Sequence, residues 1–274
     1  NMHVAIDFGI SNTDIAVLNN NDTIFYTTPS KSGLLNSNNI QKILSEHNIQ
    51  ISDVNLLGVT GGKSSDLESE IEGIEVIKIN EIDAIGLGAR KLYGLQDESC
   101  LVISAGTGTA CVHVQGNQFN HLGGIAVGGG MLEGLGSLLF NNHNGLEINE
   151  YGTQGSRAEL DLLIGDVVNK IGNLSPEITA VNFGQASISA ADTMENTAAA
   201  LCNMVGEVIG TVAYLNALLV GSEKVCFIGR TSYLSEVVNG INERIDLAGI
   251  AGQYNENREY ANVIGVLENI KYHQ

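Results

Sequence analysis

Residues 104–136, SAGTGTACVHVQGNQFNHLGGIAVGGGMLEGLG, constrain the fold of this chain more than any other stretch. Two glycine-rich turns, Gly106-Thr107-Gly108-Thr109 and Gly128-Gly129-Gly130, are separated by alternating apolar residues. The first turn follows Cys100-Leu101-Val102-Ile103, an apolar run of the buried-strand kind. The second leads into Met131–Leu139, which has helical spacing. Glycines ahead of a helix let backbone N–H groups approach an anion, and the helix N-terminus adds partial positive charge. Strand, turn, hairpin, glycine turn and helix in this order suit a phosphate cradle. The same glycines also suit tight hairpins that hold no ligand.

The chain has 274 residues and 43% hydrophobic content, enough for one large or two medium domains with a sizeable core. Its net charge is −18, from 13 Lys+Arg against 31 Asp+Glu. That balance argues against nucleic acid or an anionic membrane as partner, since both call for basic patches. An anionic substrate would need local help from backbone amides, Mg²⁺ or a few placed cations. The four cysteines, Cys100, Cys111, Cys202 and Cys226, lie in or beside apolar runs without metal-ligand spacing, so they read as buried reduced thiols. No apolar run reaches the roughly 18 residues of a membrane span, and no charged-then-apolar leader precedes the first strand. A cytoplasmic protein is the expectation.

Along the chain, Val4–Asp7, Asp14–Leu18 and Thr23–Thr28 read as strands joined by turns. Asp7, at the end of the first strand and ahead of a small-residue turn, suits a hydrated Mg²⁺ beside a nucleotide phosphate; it equally suits turn capping. Asn38–His47 reads as an amphipathic helix, Asn55–Thr60 and Val76–Ile79 as strands, and Ala84–Leu92 as a helix. Glu81 and Asp83 therefore stand where a strand gives way to a helix, as a general base or as acids favouring the helix N-terminus. Leu160, Leu163, Ile164, Val167, Val168 and Ile171 predict a helix over Arg157–Ile171. Asp192–Val220 is a long, largely buried helix, in which Gly206 and Gly210 point to close approach by a neighbouring helix or a ligand. Val225–Gly229 is a buried strand, Tyr233–Arg244 a helix, and the last helix runs from Asn262 as a cap to Ile270. The chain shows no internal sequence repeat, yet it reads as two α/β halves, each opening on a glycine-turn hairpin able to clamp a nucleotide triphosphate.

These motifs resemble the actin/sugar-kinase/Hsp70 ATPase superfamily and, within it, the type II pantothenate kinases. The resemblance rests on Ala105–Thr109, Gly123-Gly124-Ile125 and Gly128–Gly136, with Glu81–Ala84, Asn182-Phe183-Gly184, Val205–Val208, Phe227-Ile228-Gly229 and Tyr254–Asn257 in support. It implies an α/β fold of two actin-like (ribonuclease H-like) domains, 1–98 and 99–274, with a nucleotide cleft between them and the last helix packing back on the first domain. It implies phosphorylation of pantothenate by ATP and Mg²⁺, the first step of coenzyme A synthesis, in a homodimer. Glu81 matches the catalytic base. Asp7, Gly9 and Ser11 match the first phosphate motif, with Asp7 towards the metal. Gly106, Thr107, Gly108 and Thr109, with Gly128, Gly129 and Gly130, match the second, and Gly229 lies in the adenosine motif. Thr107, Ala110, His121 and Tyr254 fall at the substrate. Four positions depart from the family pattern. Ile10 replaces a glycine and Asp14 a lysine in the first motif, Ala110 replaces a serine, and His121 an arginine. The lysine and arginine would have supplied positive charge and the serine a hydroxyl, which leaves open a different small hydroxyl substrate or a nucleotide- or coenzyme A-binding regulator.

Overall fold

The computed structural model describes residues 1–30, 35–169, 172, 174–188 and 192–273. Mostly apolar runs build β1 (Met2–Phe8) and β2 (Asn12–Asn19), buried along most of their length, and the less buried β3 (Asp22–Pro29) completes an antiparallel meander. Helix α1 (Ser37–Glu46) starts at a capping box between Asn36 and Asn39. Strand β4 (Leu56–Thr60) returns in parallel beside β1. A two-residue strand, β5 (Glu70–Ile71), turns into β6 (Ile74–Lys78), which lies parallel to β4. Helix α2 (Glu81–Tyr93) begins earlier than its apolar spacing indicates, because Asn80 caps it by accepting from the Asp83 N–H.

A second meander follows: β7 (Ser99–Ala105), β8 (Thr109–Gln115) and β9 (Gln118–Ile125). After it come α3 (Gly129–Phe140), α4 (Gly145–Thr153), β10 (Leu162–Leu163), α5 (Ile164–Val167) and β11 (Thr179–Val181). The chain closes with α6 (Met194–Val220), β12 (Lys224–Ile228), α7 (Ser235–Leu247), β13 (Ala251–Gln253) and α8 (Ala261–Ile270). The first sheet runs β3-β2-β1-β4-β6-β5 and the second β9-β8-β7-β12-β13. Apart from the edge strand β5, both are a three-stranded meander with two strands added in parallel to its first member. The repeat absent from the residues is present in the topology.

The helix predicted over Arg157–Ile171 does not form. Arg157–Glu159 is a single 3₁₀ turn, followed by β10 and the four-residue α5; Ile171 lies outside the described residues. The cause is Asp161, which is 0% exposed. A buried carboxylate needs partners, and Asp161 accepts from the Phe183 N–H at 2.8 Å and from Arg157 Nη1 at 3.2 Å. Arg157 in turn donates to Thr179 Oγ1 at 2.6 Å. Pairing β10 with β11 draws these groups together at the expense of the regular helix.

Helix α6 is a core helix, although it is long and apolar enough to cross a membrane. Leu201, Val205, Ile209 and Ala213 are buried with Leu101, Ile103 and Phe227 of the second sheet. Its glycines meet a helix: a Cβ on Gly206 would stand 2.0 Å from the Val237 carbonyl oxygen of α7.

Two further helices trade places. Ile85 and Ala89 of α2, from the first half, pack on Val102, Val112, Val114 and Ile228 of the second sheet. Val263, Val266 and Ile270 of α8, from the second half, pack on Ala5, Ala16 and Ile77 of the first. The helices cross backbone to backbone. A Cβ on Gly88 would lie 1.8 Å from the Ala261 carbonyl oxygen, and one on Gly265 1.9 Å from that of Ala84. Asn262 is not the cap of α8, whose capping residue is Tyr260 with no side-chain bond.

Candidate active site

A cleft of about 1080 Å³ opens between the two sheets, lined by the turns that end β1 and β7. In the first turn the Gly9 N–H donates to the Asn12 carbonyl at 3.0 Å. In the second the Gly106 N–H donates to the Gly108 carbonyl at 2.9 Å. The N–H groups of Thr107 and Gly108 have no partner among the described residues, which leaves two donors for an anion. The turns meet tip to tip, with Ser11 Oγ and Thr107 Oγ1 sharing a hydrogen bond at 2.7 Å.

Asp7, 9% exposed, sits at the base of the first turn, opposite Asp14 in the β1–β2 register. Its carboxylate accepts one hydrogen bond, from Asn262 Nδ2 at 3.1 Å. Burial, then the neighbouring charges of Asp14 and Glu81, raise its pKa from 3.8 to about 7; the Asn262 bond and Arg230 partly oppose this. Among the described residues no three His, Cys, Asp or Glu side chains cluster to enclose a metal ion. One buried carboxylate facing a phosphate-sized space does fit Mg²⁺, which keeps several waters and binds through one or two carboxylates and substrate phosphates. Glu81, exposed in the first turn of α2, opens on the same cleft.

The structure thus brings Asp7, Gly9, Ser11, Glu81, Gly106, Thr107, Gly108, Thr109, Ala110, Gly129 and Gly229 to one cleft. Gly229 has φ +94°, and a Cβ there would stand 2.4 Å from the Ala105 carbonyl oxygen, so glycine is required. Gly128 and Gly130 lie behind the second turn. The N–H groups of Gly129 and Gly130 donate to the carbonyls of Gly106 and Thr107 at 2.9 and 3.0 Å. The N-terminus of α3 therefore braces the phosphate turn with the very donors expected to bind phosphate. His121 is exposed on β9, outside the cleft lining. Tyr254 lies outside it too: its ring stacks on Phe227 at 4.8 Å and its hydroxyl donates to Asn242 Oδ1 at 2.9 Å. Burial pushes that hydroxyl above the usual phenol range.

Three residues that the sequence did not assign to the site also reach the cleft. Asn262 holds Asp7. Glu133 accepts from the Gly145 N–H at 2.9 Å, tying α3 to the start of α4. Arg230 binds Asp14 with both terminal nitrogens. Its signal was its place directly after Gly229, in a chain with 13 Lys+Arg.

Two like-ordered sheets around one cleft, each sending in a hairpin turn, define an α/β fold of the actin-like kinase kind. Component A of the (R)-2-hydroxyglutaryl-CoA dehydratase of Acidaminococcus fermentans superposes with a TM-score of 0.64 at 16% identity, over 97% of this chain and 95% of that one. A ROK family glucokinase from Streptomyces griseus, solved with glucose and AMPPNP, gives 0.60 at 13% identity, over 98% and 99%. The chain belongs to the Fumble family, whose family model matches residues 30–241. A relative from Bacillus anthracis named Type II pantothenate kinase is 30% identical over 240 residues, 83% of this chain and 82% of that protein. One of the same name from Oceanobacillus iheyensis is 31% identical over 178 residues, 63% of this chain and 66% of its own length.

Proposed function

We propose that the chain phosphorylates pantothenate with ATP, giving 4'-phosphopantothenate and so opening coenzyme A synthesis. The observation that carries the reading is the facing pair of turns, closed by the 2.7 Å contact of Ser11 and Thr107, with Glu81 on the same cleft. The relatives' name supplies the substrate. In this reading Glu81 takes the proton of the attacking hydroxyl, and the N–H groups of Thr107 and Gly108 hold phosphate oxygens. Asp7, deprotonated, would hold Mg²⁺, which when bound neutralises phosphate charge.

We also read the chain as two domains, 1–98 and 99–274, and the protein as a cytoplasmic homodimer. Exposed Leu215, Leu218 and Leu219 on α6, with Leu138 and Leu139 ending α3, support the pairing of two copies. Ala110, in the cleft without a hydroxyl, favours a second reading in which the same chemistry serves a different small hydroxyl compound.

The test is ADP release with MgATP and pantothenate. Glu81→Gln is expected to lower kcat by about 10²–10⁴-fold with MgATP affinity kept. Unchanged turnover would reject Glu81 as the base. Turnover that needs another alcohol in place of pantothenate would select the second reading.

A further inference from the structure

A cleft that is to hold a polyphosphate in a protein of net charge −18 needs positive charge from its own walls. Among the described residues that line it, the cations are Arg230 and Arg258, set against Asp7, Asp14, Glu81, Glu133 and Glu259. Arg258 is occupied. Its Nε and Nη2 donate to the hydroxyl and carbonyl of Ser232 at 2.8 and 3.1 Å, and its Nη1 to the carbonyls of Tyr254 and Asn255, each at 3.2 Å. Its guanidinium lies 3.6 Å over the ring of Tyr233.

Arg230 is held differently. Its Nη1 donates to Asp14 Oδ2 at 2.9 Å, and its Nη2 to Asp14 Oδ1 at 2.5 Å and to Thr27 Oγ1 at 2.9 Å. A guanidinium carries five N–H donors, so these three bonds leave donors over, and 36% of the side chain stays exposed. The anchor is stiff. Asp14 is 7% exposed at its side chain, and Thr27 Oγ1 donates back to Asp14 Oδ1 at 2.9 Å. Thr27 also bonds the hydroxyl of Tyr260 at 3.2 Å, and the Tyr260 ring stacks on Phe25 at 4.5 Å.

Arg230 is also tied to the phosphate turn. The left-handed Gly229 before it packs on Ala105, and Thr231 after it donates to the Gly106 carbonyl at 2.7 Å. An arginine from the second half is thereby fixed by an acid of the first, between the two glycine turns. An exposed ion pair is worth little; a bidentate pair on a nearly buried acid fixes a direction.

We propose that Arg230 is the phosphate-contacting cation of this cleft and that Asp14 is its positioning residue. The acid at position 14, where a lysine would have pointed at the phosphates, is answered by an arginine brought across the cleft. The proposal rests on the nucleotide reading of the site.

The experiment is calorimetric titration of ATP and of adenosine into the wild type, Arg230→Ala, Arg230→Lys, Asp14→Asn, and the double variant Asp14→Lys with Arg230→Ala, each checked for a cooperative melt. Arg230→Ala is expected to weaken ATP by about tenfold or more, with adenosine affinity unchanged within about twofold. Arg230→Lys recovers part of the loss and Asp14→Asn shows a smaller one. The double variant, which carries the cation on β2 instead, regains ATP affinity over Arg230→Ala. Equal losses for ATP and adenosine, or no loss, would overturn the proposal and leave Arg230 a structural bridge. A wild type that binds neither ligand would sink the nucleotide reading itself; one that binds both while Arg230→Ala keeps ATP sinks the Arg230 assignment alone.

Discussion

The two glycine turns occupy matching places in sheets of the same order, yet they are held in different ways. The first, Phe8–Asn12, is braced mainly from its own meander. Ser30 Oγ donates to the Gly9 carbonyl at 2.7 Å and the Ser30 N–H to the Ser11 carbonyl at 3.0 Å. That support leaves the tip open, and Ile10 stands there 82% exposed. The second turn is braced by the backbone of a following helix, so close that a Cβ on Gly128 would lie 2.6 and 2.7 Å from the Thr107 and Gly106 carbonyl oxygens. The charge is uneven too: Asp7 pairs with Asp14 at the base of the first hairpin, whereas Ser104 pairs with Ala110 at that of the second. One topology thus yields a tolerant turn with the acids and a rigid turn braced by a helix. The N–H groups of Ile10 and Ser11, like those of Thr107 and Gly108, have no partner among the described residues.

If that contrast is right, Gly128→Ala should have the largest effect. Its φ of 179° is open to any residue, so the damage is purely steric, about 2–3 kcal/mol of stability by denaturant titration. A variant as stable as the wild type would mean that the brace is loose. Next comes Asp7→Asn. Folding raises the Asp7 pKa from 3.8 to about 7, so the native state keeps a proton that the unfolded chain has released. Stability should therefore fall as pH rises from about 4 through about 7. The variant should flatten that slope and, at pH 8, exceed the wild type by roughly 1–2 kcal/mol while losing Mg²⁺-dependent nucleotide binding. Parallel pH profiles for the two proteins would refute the assignment. Smallest is Ser11→Ala, which removes the contact between the tips and should cost about 1 kcal/mol or less, with nucleotide affinity as the more sensitive readout.

Local order was legible where residues alternate or repeat with one period. β1, β2, β3, β7 and α6 lie within a few residues of their sequence reading, because their apolar faces meet the core directly. Arg157–Ile171 failed because a pattern of leucines and valines says nothing of a carboxylate such as Asp161, whose partners are the Phe183 N–H, 22 residues on, and Arg157. The strands β5 and β13 are too short to show a period. At the site, the glycines and acids could be read because they belong to contiguous motifs. The Asp14–Arg230 pair could not, since its members are 216 residues apart. Nor could the use of the Gly129 and Gly130 N–H groups, which depends on how closely two turns approach.

The exchange of α2 and α8 bears on how the molecule comes apart. Remove α2 and the second sheet loses the cover over Val102, Val112 and Val114; remove α8 and the first sheet bares Ala5 and Ala16. Neither half owns a complete hydrophobic interior, so heat or denaturant should melt both in one cooperative step. Severing the chain between the halves would leave two fragments that must find each other again before either can be native.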